Sequence, residues 1–145
     1  MNSPATRLYT QEILSLATGL AAWPLDPAMP FQGSDRSPAC GSTLSMSLAL
    51  GADQRIDGIG LRTQACAIGQ ASAAIFAQAA LGLTAGEVQQ AGEDMAAWLK
   101  NAAPLPDWPG LAAIEPALAY PARHGAILLA WRAAQRALSS VDTAR

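Results

Sequence analysis

The sequence predicts an α+β domain, a small antiparallel sheet covered by helices, from three observations. Two short strand-like runs flank a turn in the first half of the chain. Alanine-rich segments with helical spacing follow from residue 66 onward. The apolar content, 51% of 145 residues, is enough to bury a real core in one ordinary domain, so residues 1–145 are expected to form a single unit.

The elements follow in order. Tyr9, Ile13, Leu16 and Leu20 recur at helical intervals, and a first helix is expected from about Pro4 to Thr18, ending near Gly19. Pro24, Pro27 and Pro30 then impose a turn-rich stretch. The runs Thr43 to Leu50 and Arg55 to Thr63 surround Gly51-Ala52-Asp53-Gln54, a turn of hairpin length. Both strands of that hairpin lead toward a cysteine, Cys40 on one side and Cys66 on the other.

Beyond Cys66, Ile68, Ile75 and Ala79 mark a helix. Thr84-Ala85-Gly86-Glu87 has the spacing of a capping box, so another helix should start there, with Val88, Ala91, Met95 and Leu99 on its core face. Pro104, Pro106 and Pro109 end it. A short helix is expected around Leu111 to Ala117 and a last one from about Ala122 to Ser139. Trp98 and Trp108 are read as core packing, with a docking surface as the second possibility. Arg132 and Arg136 share an i, i+4 face read as solvated surface.

Several function classes are excluded. A net charge of −2 with few, scattered basic residues lacks the electrostatic footprint of a nucleic-acid binder. No run is apolar enough to read as a membrane span, and the amphipathic N-terminus does not have the layout of an export signal. The chain reads as soluble and cytoplasmic. Its two cysteines are therefore expected as thiols rather than as a disulfide.

Three short motifs carry the chemistry. Ser37-Pro38-Ala39-Cys40-Gly41-Ser42 combines a fixed φ at proline with a permissive glycine, so Cys40 should ride on a tight turn. Cys66-Ala67-Ile68-Gly69-Gln70-Ala71-Ser72-Ala73 should place Cys66 at a helix N-terminus, where the dipole favours thiolate. Pro121-Ala122-Arg123-His124-Gly125 should open the last helix, with His124 at its start.

Together these motifs resemble the IscU/SufU family of iron-sulfur cluster assembly scaffolds, also called NifU N-terminal-like, over most of the chain. In that family the first cysteine lies in a Pro-x-Cys-Gly-Asp turn, the second in a Gly-Cys-x-Ile-x-x-Ala-Ser-Ala stretch, and the third follows a His or Lys before a helix. The long interval from Cys66 to Gly125 and the Pro121-Ala122-Arg123 segment are nearer the SufU branch. The resemblance implies a SufE/NifU-like fold with about three strands, the added one near Phe31 to Ser37. Two departures stand out: Ser42 replaces the family's aspartate and Gly125 its third cysteine.

What the resemblance then implies is an assembly scaffold or sulfur acceptor rather than an enzyme, at most a sulfur-transfer accessory. Cys40 is the possible sulfur acceptor. Cys40, Cys66 and His124 are the expected ligands for iron, zinc or a transient iron-sulfur cluster, with Ser42 or Asp35 as weak candidates for a fourth position. Thiolate and imidazole suit such metals, and three ligands leave an open position for exchange. A cysteine desulfurase is the implied partner, with iron-sulfur recipient proteins beyond it. The alternative is a degenerate family member that builds no cluster and acts as a zinc-binding or desulfurase-binding accessory. A thiol hydrolase using Cys40 and His124 lacks a recognisable orienting carboxylate.

Overall fold

In the computed structural model, which describes residues 8–141, three antiparallel strands run in the order β1 (Phe31–Arg36), β2 (Thr43–Leu50) and β3 (Ile56–Gln64). The helices are α1 (Gln11–Thr18), α2 (Ala67–Ala80), α3 (Ala85–Leu99) and α4 (His124–Ala137). Short 3-10 turns lie at Gly19–Ala22, Leu111–Ala119 and Pro121–Arg123. The α+β reading holds, including the strand before Cys40.

Strand patterning explains how the layers face each other. Leu44, Met46 and Leu48 alternate along β2 and are fully buried, paired across the sheet with Asp35, Gly33 and Phe31 of β1 and with Thr63, Leu61 and Ile59 of β3. Serines 45 and 47 take the opposite face. On the apolar face α4 lies across β1 and β2, with α2 packed between α1 and α4 and α3 against α4. Alanine-rich α2 is buried along almost its whole length, Ile68 to Ala77, which is why its apolar residues extend all round.

Close approach between layers depends on small residues. A Cβ on Gly33 would collide with the Ala133 carbonyl oxygen and stand 2.6 Å from the Ala137 amide nitrogen, so β1 can press on α4 only with glycine here. Between α3 and α4, Gln89 and Gln135 each donate a side-chain amide to the other's carbonyl oxygen at 3.0 Å. Gly92 leaves the room that Gln135 occupies.

The aromatic side chains build the core. Phe76 stacks on Trp108 at 5.2 Å between centroids and meets Trp131 edge-on at 5.3 Å. Trp108 Nε1 donates to the Ile75 carbonyl at 3.0 Å, and Trp98 is buried. Both tryptophans take part in packing, Trp98 fully buried and Trp108 half-buried.

Local chemistry agrees with the expected boundaries at most points. Thr84 caps α3 as read: its hydroxyl accepts from the Glu87 amide at 3.2 Å and its own amide donates to the Glu87 carboxylate at 3.0 Å. Gln54 turns the hairpin with a φ of 64°, and β3 begins at Ile56 rather than Arg55. The first helix differs. Thr10 caps a new helical start by accepting from the Ile13 amide at 3.2 Å, so α1 begins at Gln11. The expected residues 4–7 lie outside the described residues. At the last helix, Pro121–Arg123 wind more tightly as a 3-10 turn, and the α-helix proper begins at His124.

Replacing Gly33 with alanine should destabilise the fold by about 1–3 kcal/mol through overpacking against α4, measured as a lowered urea midpoint with an unchanged slope. An unaltered midpoint would show that β1 can move away from α4 at little cost.

Candidate sulfur and metal site

Register brings the two cysteines to one end of the sheet. Thr43 pairs with Gln64 and with Arg36. Cys40 therefore lies in the turn that joins the β1 and β2 ends, and Cys66 lies just past the β3 end in the same row. Beneath them, Gly69 at the start of α2 meets the start of α4: a Cβ there would stand 3.1 Å from that of Ala126. The buried Ser72 hydroxyl locks the two helices by donating to the Ile127 carbonyl at 2.8 Å.

The Cys40 turn is closed by backbone bonds. The Ser37 amide donates to the Ser42 carbonyl, and the Gly41 amide donates to the Ser37 carbonyl, both at 2.8 Å. Gly41 has a φ of 72°, which few other residues adopt cheaply. Ser37 and Ser42 are buried beneath an exposed Cys40. The thiol sits 3.4 Å from the Ser37 hydroxyl and 3.0 Å from that of Ser42.

A neutral thiol has one hydrogen and can donate to one of these hydroxyls, whereas a thiolate accepts from both. The two-hydroxyl cradle thus favours the charged form. The hydroxyls of Ser37 and then Ser42 hold the Cys40 thiol below the ordinary cysteine range; partial desolvation opposes them, and the Ser42 backbone and the Arg123 guanidinium assist. Arg123 also donates to the Tyr9 hydroxyl at 3.2 Å, which steadies it near the turn.

Cys66 is the N-cap residue of α2, half-buried, with extended backbone angles; its carbonyl accepts from the Gln70 amide at 3.0 Å, while its thiol makes no cap bond. His124 begins α4, and its Nε2 lies 2.9 Å from the Leu118 carbonyl oxygen. A carbonyl only accepts, so Nε2 carries a proton here, and in the neutral ring Nδ1 keeps the free lone pair.

The expected ligands are nevertheless not gathered. Among the described residues, no group of three or more His, Cys, Asp or Glu side chains stands close enough together to hold a metal ion. Asp35 is occupied elsewhere. It points to the helix side of the sheet, nearly buried, and takes an ion pair from Arg136 at 3.2 Å. Arg136 is therefore an anchor of β1 to α4 rather than a purely solvated charge. Ser42 does face Cys40, as a hydroxyl partner.

Two contributors escaped the sequence reading, Ser37 and Arg123. The hydroxyl at each end of Ser37-Pro38-Ala39-Cys40-Gly41-Ser42 was the available signal, since a closed turn must bring both ends beneath its tip. Arg123 carried no local signal, because its nearness to Cys40 comes from tertiary packing. The cleft beside Arg123, about 480 Å³, is lined by Leu8, Tyr9 and residues 119–123 and by neither cysteine. Cys40 is a surface thiol.

Comparison with known proteins bears on the fold. No protein-family profile matches the sequence, and no curated protein matches it. Among solved structures, the N-terminal part of a nitrogen-fixing NifU-like protein from Brucella abortus superposes with a TM-score of 0.87 at 27% identity, covering 99% of this chain and all of that one. A SUF-system protein from Fervidobacterium islandicum AW-1, described as a candidate iron-sulfur cluster assembly scaffold, superposes with a TM-score of 0.79 at 17% identity, over 90% of this chain and 96% of that one.

In a Cys66→Ser background, alkylation of Cys40 by iodoacetamide should reach half its maximal rate at a lower pH than an ordinary peptide thiol, because the thiolate forms earlier. Ser37→Ala or Ser42→Ala should move that midpoint upward. A midpoint indifferent to both substitutions would remove the hydroxyl cradle as the cause.

Proposed function

Since this chain carries the fold of the IscU/SufU, NifU N-terminal-like family, we propose that it serves iron-sulfur cluster assembly as a scaffold-type sulfur acceptor, with Cys40 as the accepting group. The observation that carries this reading is the exposed Cys40 thiol held toward thiolate by two buried hydroxyls. A cysteine desulfurase bearing a persulfide is the proposed donor. The Cys40 thiolate attacks the terminal, sulfane sulfur of that persulfide. One S–S bond forms on Cys40, the donor's S–S bond breaks, and the donor cysteine leaves as thiolate. No external oxidant or reductant is consumed.

Iron, zinc or a cluster enters this reading as cargo. Cys40, Cys66 and the free Nδ1 of His124 are the groups proposed to hold it, with no carboxylate at position 42 to complete the set. Because these groups are not assembled beforehand, holding a metal requires them to close up, and loading should be weak and transient. The cargo would pass on to iron-sulfur recipient proteins. No described helix is long and apolar enough to cross a membrane.

The second reading is an accessory protein that keeps the fold and the partner surface but builds no cluster. The observation favouring it is the missing ligand group: serine at 42, glycine at 125 and no assembled metal cluster among the described residues.

Anaerobic incubation with desulfurase and ³⁵S-cysteine separates the two. Reductant-releasable label should appear on the native chain and on Cys66→Ala but fall to background on Cys40→Ala. A chain that binds the desulfurase and takes up no label is the accessory, and the acceptor reading fails.

A further inference from the structure

Gly125 occupies the second position of α4 without needing glycine's backbone freedom, since its φ is not among the positive ones. In a helix, glycine is less stable than alanine, so it needs a reason. The reason for it lies in space. A Cβ at 125 would collide with the Ser37 hydroxyl oxygen and stand 3.0 Å from the Ser37 Cβ. Ser37 cannot easily withdraw. It is 4% exposed, and its backbone is pinned by the two 2.8 Å bonds that close the Cys40 turn. Turning its side chain to another staggered position would take the hydroxyl away from Cys40. The Ser37 rotamer that contacts Cys40 and a side chain at 125 therefore exclude each other.

We infer that Ser37 is the specificity-determining residue of this site: its hydroxyl fills the place of a side-chain ligand on the first turn of α4, leaving Cys40 to take a one-thiolate cargo, sulfane sulfur, in preference to a metal held by several thiolates. The choice of sulfane sulfur rests on the acceptor reading above; the exclusion of a ligand at 125 rests on geometry alone. Ser37 acts here as a positioning residue, through Cys40 and through the space it denies. Adding a thiol at 125 does not by itself create a third ligand, because the new side chain must first displace Ser37.

Zinc stoichiometry of protein purified without oxygen tests this directly, using the native chain, Gly125→Cys, Ser37→Gly/Gly125→Cys and Ser37→Ala/Gly125→Cys. The alanine version keeps a side chain in the turn should the glycine version fold poorly, and far-ultraviolet circular dichroism checks each variant. Gly125→Cys alone should retain no more zinc than the native chain, whereas a folded double variant should hold about one zinc per chain, as a three-ligand site with one open position does. Equal gains in the single and double variants would overturn the inference, and so would no gain in either. Label uptake from ³⁵S-cysteine, measured on the native chain alongside, keeps the two claims apart. A zinc gain confined to the double variants without label on Cys40 would sink the acceptor reading and leave the exclusion at 125 standing.

Discussion

The close approach of β1 to α4, permitted by the absence of a side chain at Gly33, is the constraint on which the rest of this molecule depends. Because β1 lies against the last helix, the turn that follows β1 is carried to the first turn of that helix. Antiparallel register does the remainder, placing the exit of β3 beside the same turn. The Asp35–Arg136 pair and the apolar face of β2 act along the same contact. Its ion-pair component is partly exposed and contributes little by itself; burial of Met46, Leu48 and Trp131 dominates.

That geometry makes the chemistry of Cys40 a matter of hydrogen bonding more than of burial. Desolvation of a thiol raises its pKa, and a deeply buried Cys40 would be inert. Here the sulfur stays at the surface while the hydroxyls that stabilise its charged form are buried beneath it. Accessibility and a stabilised thiolate thus coexist at Cys40. Cys66 differs. It is half-buried at a helix start and makes no side-chain cap bond.

Positions 42 and 125, where the sequence differs from the motif it resembles, both contact the Cys40 turn. Serine at 42 supplies a hydroxyl to Cys40 in place of a carboxylate, and glycine at 125 accommodates the hydroxyl of Ser37.

Much of the fold was legible in the chain itself. The capping box at Thr84, the Gly51 to Gln54 turn, the proline breaks and the helix start after Cys66 are local signals, decided by backbone freedom and by side chains reaching a few residues along the chain. They marked where elements begin and end, and the motifs around Cys40 and Cys66 marked the chemistry. The break before α1 was hidden because the apolar spacing of Tyr9 and Ile13 runs through it while Thr10 caps a new start. Tertiary structure alone decided which groups meet: that Asp35 turns to Arg136, that the Arg123 charge is felt at Cys40, and that Ser37 fills the space above Gly125. Those pairings join residues of different elements, and only the packing of β1 on α4 sets the distances between them.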